Sequence, residues 1–208
     1  RRGGLCVILP TEGRPNSQEQ LIWATQQWPA KLCDLYLSWS SEFAKYLPKE
    51  VLFEVVGCPR FDFYDSPFVE TLDSAERICG LYDLDPARPI ITIASSFPQA
   101  KFATQSQEFL KNDWKDLGVS NIPGREIPAN IASNEAAFLN TFQSWIIAAK
   151  SAFYDYQFVI KPHPAEDVVA WQRFCSRYGI TLMLSGYIWD LLSISTLHVG
   201  RADCLTVC

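Results

Sequence analysis

Lys161 and His163, separated by one proline in the run Gln157-Phe158-Val159-Ile160-Lys161-Pro162-His163-Pro164, are the residues whose types and spacing point most directly to chemistry. Both donate hydrogen bonds to a phosphate, and Lys161 brings a full positive charge as well. A carboxylate, Glu12, stands before Gly13 in the turn Pro10-Thr11-Glu12-Gly13, where it has the chemistry of a general base. Hydroxyls at Ser95 and Ser96 follow another apolar run, and in a nucleotide-binding sheet such hydroxyls touch phosphate or ribose; capping the next turn is an equally good use for them. Thr206 lies near the end of the chain in Asp203-Cys204-Leu205-Thr206, a stretch that reads as a helix start and hence as an anion-compatible place. Each residue also has a plain structural reading: a surface turn for His163, a solvated turn for Glu12.

These groups need elements to position them. Phe158, Val159 and Ile160 form a continuous apolar run after polar Gln157, the pattern of a parallel strand covered on both faces. Pro162 and Pro164 cannot continue a central strand, so the strand stops near Lys161, and Ala165-Glu166-Asp167 opens a helix. The loop between them therefore lies at the carboxyl edge of the sheet, where open α/β folds bind ligands.

Similar punctuation recurs along the chain. Strands are predicted at 5–9, 32–39, 51–56, 89–94, 180–184 and 196–199. Helices are predicted at 17–28, at 40–47 capped by Ser40 or Ser41, from Ser66-Pro67 toward Gly80, and at 106–117. A long helix capped by Ser133 runs to Phe153, with its apolar residues on one face; another ends at Gly179, and a helical turn covers 187–192. Asp83-Leu84-Asp85-Pro86 has the outline of a metal-binding Asp-x-Asp, but its place between a helix and a strand, before a proline, reads as a turn. Strands alternating with helices imply parallel βαβ units.

Composition bounds the partners. The 208 residues are 48% hydrophobic, enough for a substantial core, and carry a formal net charge of −5. No basic run tracks a nucleic-acid backbone, so nucleic acid is not an expected partner. No apolar run approaches the ~18 residues of a membrane span. Seven scattered cysteines without a CxxC pair suggest reduced thiols and a cytoplasmic setting. No residue cluster suggests a metal, and no cofactor is expected. The chain begins without Met, and its last residues look like a helix just starting, so it is expected to be an internal piece of a longer protein.

Taken in order, Pro10-Thr11-Glu12-Gly13, Asp34-Leu35-Tyr36-Leu37-Ser38-Trp39, Gly57-Cys58-Pro59-Arg60-Phe61-Asp62 and Lys161-Pro162-His163-Pro164 resemble the motifs of bacterial surface-carbohydrate biosynthesis proteins of the GT-B glycosyltransferase type. The acidic-Gly and His-Pro elements are also similar to those of polysialyltransferases and other transferases that use CMP-activated sugars. The resemblance implies a GT-B-like α/β fold with Rossmann-like parallel sheets, flanking helices and two domains. Residues 1–56 would be the tail of a truncated acceptor-side domain. Residues 57–208 would be the donor-side domain, incomplete at its carboxyl end, with Arg60 and Asp62 at the junction.

It further implies metal-independent transfer of a sugar from a nucleotide donor, CMP above all, to a glycan or lipid-linked glycan of a surface polysaccharide or lipopolysaccharide. The setting would be the cytoplasm, with peripheral association at the inner face of the membrane. Glu12 would be the base, and His163 with Lys161 would hold the donor phosphate, assisted by Ser95, Ser96 and Thr206. The sequence departs from the family pattern at Thr11, where the family has an acid, and at Cys58, where it tends to have Asn. The later hydroxyl motif has two readings, Ser195-Thr196 by composition and Thr206 by position. A GT-B-shaped sugar-nucleotide epimerase or CDP-glycerol polyol-phosphate transferase, and a non-enzymatic nucleotide-sugar-binding module, are the alternatives.

Overall fold

A computed structural model describes residues 4–9, 33–104 and 130–200, apart from the side chains of Phe43, Ala44, Tyr46 and Arg60. Glu12, Thr206 and the helices expected at 17–28 and 106–117 lie outside the described residues. The chain is mixed α/β, with two parallel sheets. It divides into two compact units between Asp73 and Ser74.

The first unit holds β1 (Val7–Ile8), β2 (Leu35–Ser38) and β3 (Leu52–Val55), paired parallel in that order. Cys33 and Tyr36 form its buried centre, with Ile8, Leu47, Val51 and Phe53 packed around them. Asp34 fixes the register at one end: its carboxylate accepts a hydrogen bond from the Cys6 backbone N–H at 2.8 Å. At the other end Ser38, fully buried, donates its hydroxyl to the Ser40 carbonyl at 2.8 Å and so turns the chain into the 3-10 helix Ser41–Tyr46. Ser40 is the N-cap residue of that helix.

Gly57 has φ of +75°, a left-handed conformation that glycine adopts without steric penalty. The 3-10 helix Pro59–Tyr64 follows it. Phe61 lies 6.5 Å from Trp39, ring to ring, which ties this stretch back to the end of β2. Residues 57–62 therefore belong with the first unit, and the division falls sixteen residues past Gly57, at Asp73, where 73 − 57 = 16. The helix expected from Ser66-Pro67 is instead two pieces. A short 3-10 helix spans Phe68–Thr71, and α1 (Ala75–Leu81) has Ser74 as its N-cap, accepting from the Arg77 N–H at 3.3 Å. Ser66 spends its hydroxyl on Glu70.

The second unit contains β4 (Ile90–Ala94), α2 (Ile131–Ala152), β5 (Gln157–Lys161), α3 (Val168–Tyr178), β6 (Thr181–Leu182), α4 (Ile188–Ser193) and β7 (Leu197–Gly200). Its sheet is parallel throughout, in the order β6-β5-β4-β7. Counted from β4, that is 3-2-1-4, the order of the first four strands of a doubly wound nucleotide-binding sheet. The chain works outward from β4 to β6, then returns to the opposite side of β4.

The alternation of side chains along the strands builds two cores. Ile91, Ile93, Phe158 and Ile160 face α2 and α3, against Ile146, Trp171 and Cys175. Ile90 and Val159 face α1 and α4, against Ile78, Cys79 and Leu191. Phe158, Val159 and Ile160 are at most 2% exposed. Burial of each contributes about 1.5–3 kcal/mol, more than a single net hydrogen bond, so the core fixes where the strand runs.

The helix ends follow local chemistry. Gly179 closes α3 with φ of +59°. Asp167 caps its start, accepting from the Ala170 N–H at 3.0 Å. The N-cap of α2 is Asn130 rather than the expected Ser133. Ser133 lies within the first turn of the helix, and its hydroxyl reaches back to the Asn130 carbonyl. Asp85 accepts from the Ala87 N–H in the expected turn. No helix among the described residues is long and apolar enough to cross a membrane.

On the α1–α4 side, fully buried Thr92 stands between two polar groups. Its hydroxyl is 2.7 Å from the Ser195 hydroxyl and 2.8 Å from His198 Nδ1. His198 Nε2 is buried without a hydrogen-bond partner among the described residues, and burial lowers the imidazole's pKa below its usual 6.5. The unfolded chain therefore takes up this proton first as the pH falls. His198 contributes fully above about 6.5 and progressively less between that value and its lowered one. The melting temperature should thus drop more steeply from about pH 7.5 to about pH 5.5 in the wild type than in His198→Asn. Equal slopes would remove His198 from the pH response.

Candidate anion-binding loop

The loop after β5 is built around Glu166, which is not among the expected site residues. Glu166 is 6% exposed, and three donors converge on its carboxylate. The Ser95 hydroxyl lies 3.0 and 3.1 Å from its two oxygens. The His163 backbone N–H donates to Oε1 at 3.0 Å, and Trp171 Nε1–H donates to Oε2 at 2.7 Å. The Glu166 N–H in turn donates to the His163 carbonyl at 2.9 Å, so the turn closes through both backbone and side chain.

Each donor comes from a separate element. Ser95 follows β4, His163 follows β5, and Trp171 lies in α3, where it is itself a core residue. One carboxylate thus ties two strand ends to the following helix. Lys101 adds a further tie, donating Nζ–H to the Ala165 carbonyl at 2.8 Å.

His163 is exposed on this fixed loop. Its Nδ1 accepts from the Ala165 backbone N–H at 3.1 Å. A backbone N–H only donates, so Nδ1 is the acceptor nitrogen and the ring's proton sits on Nε2. The imidazole offers solvent an oriented N–H donor at the carboxyl edge of the sheet.

Lys161 and Ser95 occupy the same edge in different roles. The Lys161 ammonium donates to the Ser185 carbonyl at 3.1 Å and the Gly186 carbonyl at 2.8 Å. Partial burial lowers its pKa, opposed by the charge of Asp190. Lys161 therefore supplies charge near the edge while its hydrogen bonds hold the loop after β6. The Ser95 hydroxyl is directed at Glu166 and positions the loop. Ser96, next along, is half-buried.

The loop after β6 is constrained from below as well. Asp190, 8% exposed, accepts from the Tyr187 N–H at 2.6 Å. Gly186 has φ of +79°, a left-handed conformation that favours glycine, and a Cβ there would press on Asp190 Oδ2 at 2.9 Å. Tyr82 reaches over from the end of α1, its Oη 3.1 Å from the Ser185 carbonyl and 2.9 Å from the Ser185 hydroxyl.

The structure therefore brings Lys161, His163, Ser95 and Ser96 to one edge and adds Glu166, Asp190 and Tyr82 as the groups that hold them. A carboxylate three residues after His163 and five before Trp171 was the available signal for Glu166. Its partner at Ser95 is 71 residues away and leaves no local trace. The start of α3 is occupied by Asp167 and adds no anion site of its own. Among the described residues no group of His, Cys, Asp and Glu is arranged to hold a metal. Asp62 lies in the 3-10 helix of the first unit, and its backbone carbonyl accepts from the Asp65 N–H. The side chain of Arg60, expected with Asp62 at the junction, is outside the described residues.

Removing the Glu166 carboxylate strands three donors. Glu166→Ala should cost about 3 kcal/mol or more in chemical denaturation, and Glu166→Gln, which keeps one acceptor oxygen, less. A loss under about 1 kcal/mol for the alanine variant would show that the loop is held by other contacts.

No protein-family model and no curated protein matches this chain.

Proposed function

We propose that the chain is part of a metal-independent glycosyltransferase of the GT-B type, transferring a sugar from a nucleotide donor, CMP foremost, to a surface polysaccharide or lipopolysaccharide acceptor. The observation that carries this reading is the exposed His163 imidazole, its Nε2–H oriented by the Ala165 N–H, on a loop immobilised by Glu166. The parallel 3-2-1-4 strand order supports it, because ligands of such sheets bind at the carboxyl edge where this loop lies. The four ordered sequence motifs supply the link to sugar transfer.

In this reading His163 donates to the donor's phosphate, where negative charge grows as the glycosidic bond breaks. A donor already fixed in place stabilises that charge without reorganising. Lys161 adds positive potential while holding the neighbouring loop, and Ser95 acts through Glu166. Ser96 and Thr206 are further contacts to the nucleotide. Glu12 takes the proton of the acceptor hydroxyl as the new bond forms. The enzyme works in the cytoplasm, at the inner face of the membrane that carries its acceptor.

The test uses nucleotide binding and turnover separately. His163→Ala should weaken CMP binding by about tenfold, the order of one charge-assisted hydrogen bond, with an unchanged melting temperature. Unaltered affinity and rate would dismiss His163 as a phosphate ligand. Glu12→Gln in the complete enzyme should reduce turnover by about a hundredfold or more while leaving CMP affinity near the wild-type value. Near-normal turnover would return Glu12 to a solvated turn.

A further inference from the structure

The end of the loop after β6 and the first turn of α4 carry an aromatic pair that the phosphate chemistry above does not use. Tyr187 and Trp189 stack, with ring centroids 5.2 Å apart and planes 15° from parallel. Tyr187 is 67% exposed. An aromatic ring so open to water is normally mobile, but this one stands on backbone held from three sides. Lys161 grips the carbonyls of Ser185 and Gly186, Tyr82 binds Ser185, and Asp190 takes the Tyr187 N–H. Gly186 takes up the left-handed turn between them, with φ of +79°.

The pair also follows the strand that lies beside the one leading to the candidate phosphate donor. Lys161, whose ammonium lies 2.8 Å from the Gly186 carbonyl, is two residues before His163 and one strand end away from Tyr187. The same edge thus presents an oriented N–H on one loop and, after the adjacent strand, a flat aromatic surface borne on a held backbone. A ligand with an anionic group and a planar ring joined by a short linker matches both.

We propose that Tyr187, backed by Trp189, is the stacking platform for the base of the nucleotide whose phosphate meets His163. This rests on the nucleotide-binding reading above and extends it to a named base subsite. Stacking on a ring is tolerant of base identity, so the platform supplies affinity for a nucleobase and leaves the choice among bases to other contacts. A held backbone and a ring stacked on Trp189 beforehand reduce the ordering cost of binding.

The experiment dissects the ligand with three probes on the complete enzyme: CMP, cytidine, which lacks the phosphate, and ribose 5-phosphate, which lacks the base. Affinities are measured by calorimetry for the wild type, Tyr187→Ala, Tyr187→Phe and His163→Ala. Tyr187→Ala should weaken CMP and cytidine about tenfold and leave ribose 5-phosphate unaltered. Tyr187→Phe, which keeps the ring, should retain wild-type affinity for all three. His163→Ala should show the reverse selectivity, weakening CMP and ribose 5-phosphate but not cytidine. Wild-type affinity of Tyr187→Ala for cytidine and CMP overturns the platform while leaving the phosphate site standing. Equal weakening of cytidine and ribose 5-phosphate by Tyr187→Ala also overturns it, because the ring would then be supporting the loop. If the wild type binds none of the three, both readings fall together.

Discussion

The candidate site depends on one buried carboxylate. Removing Glu166 from water carries a large desolvation cost, and the structure offsets it with a hydroxyl, a backbone N–H and an indole N–H from three elements. That cost is what makes the arrangement specific. An apolar side chain at 166 would fill the space, but it would not discriminate between correct and shifted positions of the loop after β5. A carboxylate with three directed acceptor contacts does. Trp171 makes the coupling stiff, because its ring is locked in the α2–α3 core while its Nε1–H reaches the loop. The position of His163 is thus set by the packing of the unit.

The two carboxylates at this edge, Glu166 and Asp190, share a design. Each lies in or just before the first turn of a helix that follows a strand, and each accepts the backbone N–H of a residue three positions earlier, His163 for one and Tyr187 for the other. The outcome is that an exposed ring, imidazole or phenol, protrudes from a loop whose backbone is fixed. Lys161 joins the two loops by reaching from the end of β5 to the carbonyls after β6. Its ammonium acts as a strut as well as a charge.

Much of this architecture was legible in the chain because it follows from local rules. The apolar run at Phe158–Ile160 declared a buried parallel strand, the flanking prolines placed its end, and Gly179 marked the close of a helix. Local rules fail where two similar signals compete. Ser66-Pro67 and Ser74 both resemble helix starts, as do Asn130 and Ser133, and the choice is made by which backbone donors the packed helix leaves open. The roles of Lys161 and Ser95 were harder to read, since a lysine after a strand looks the same whether its ammonium faces an anion or two carbonyls. Those carbonyls are 24 and 25 residues further on, and only the pairing of β5 with β6 brings them within reach. Glu166 was hidden for the same reason.

The distribution of thiols in the folded chain has a chemical consequence. Cys79 and Cys175, in the two cores of the second unit, are 3% and 2% exposed, and burial pushes the Cys175 thiol up to about 11. Cys6, in the first unit, is exposed. Only a thiolate attacks an alkylating reagent or a disulfide, so the native second unit shields Cys79 and Cys175 both by excluding the reagent and by keeping the thiols protonated. Among the described cysteines, Cys6 is the exposed thiol, open to oxidants while the second unit stays folded. Modification at Cys79 or Cys175 becomes a chemical record that the second unit has opened, a clock for its rarest fluctuations.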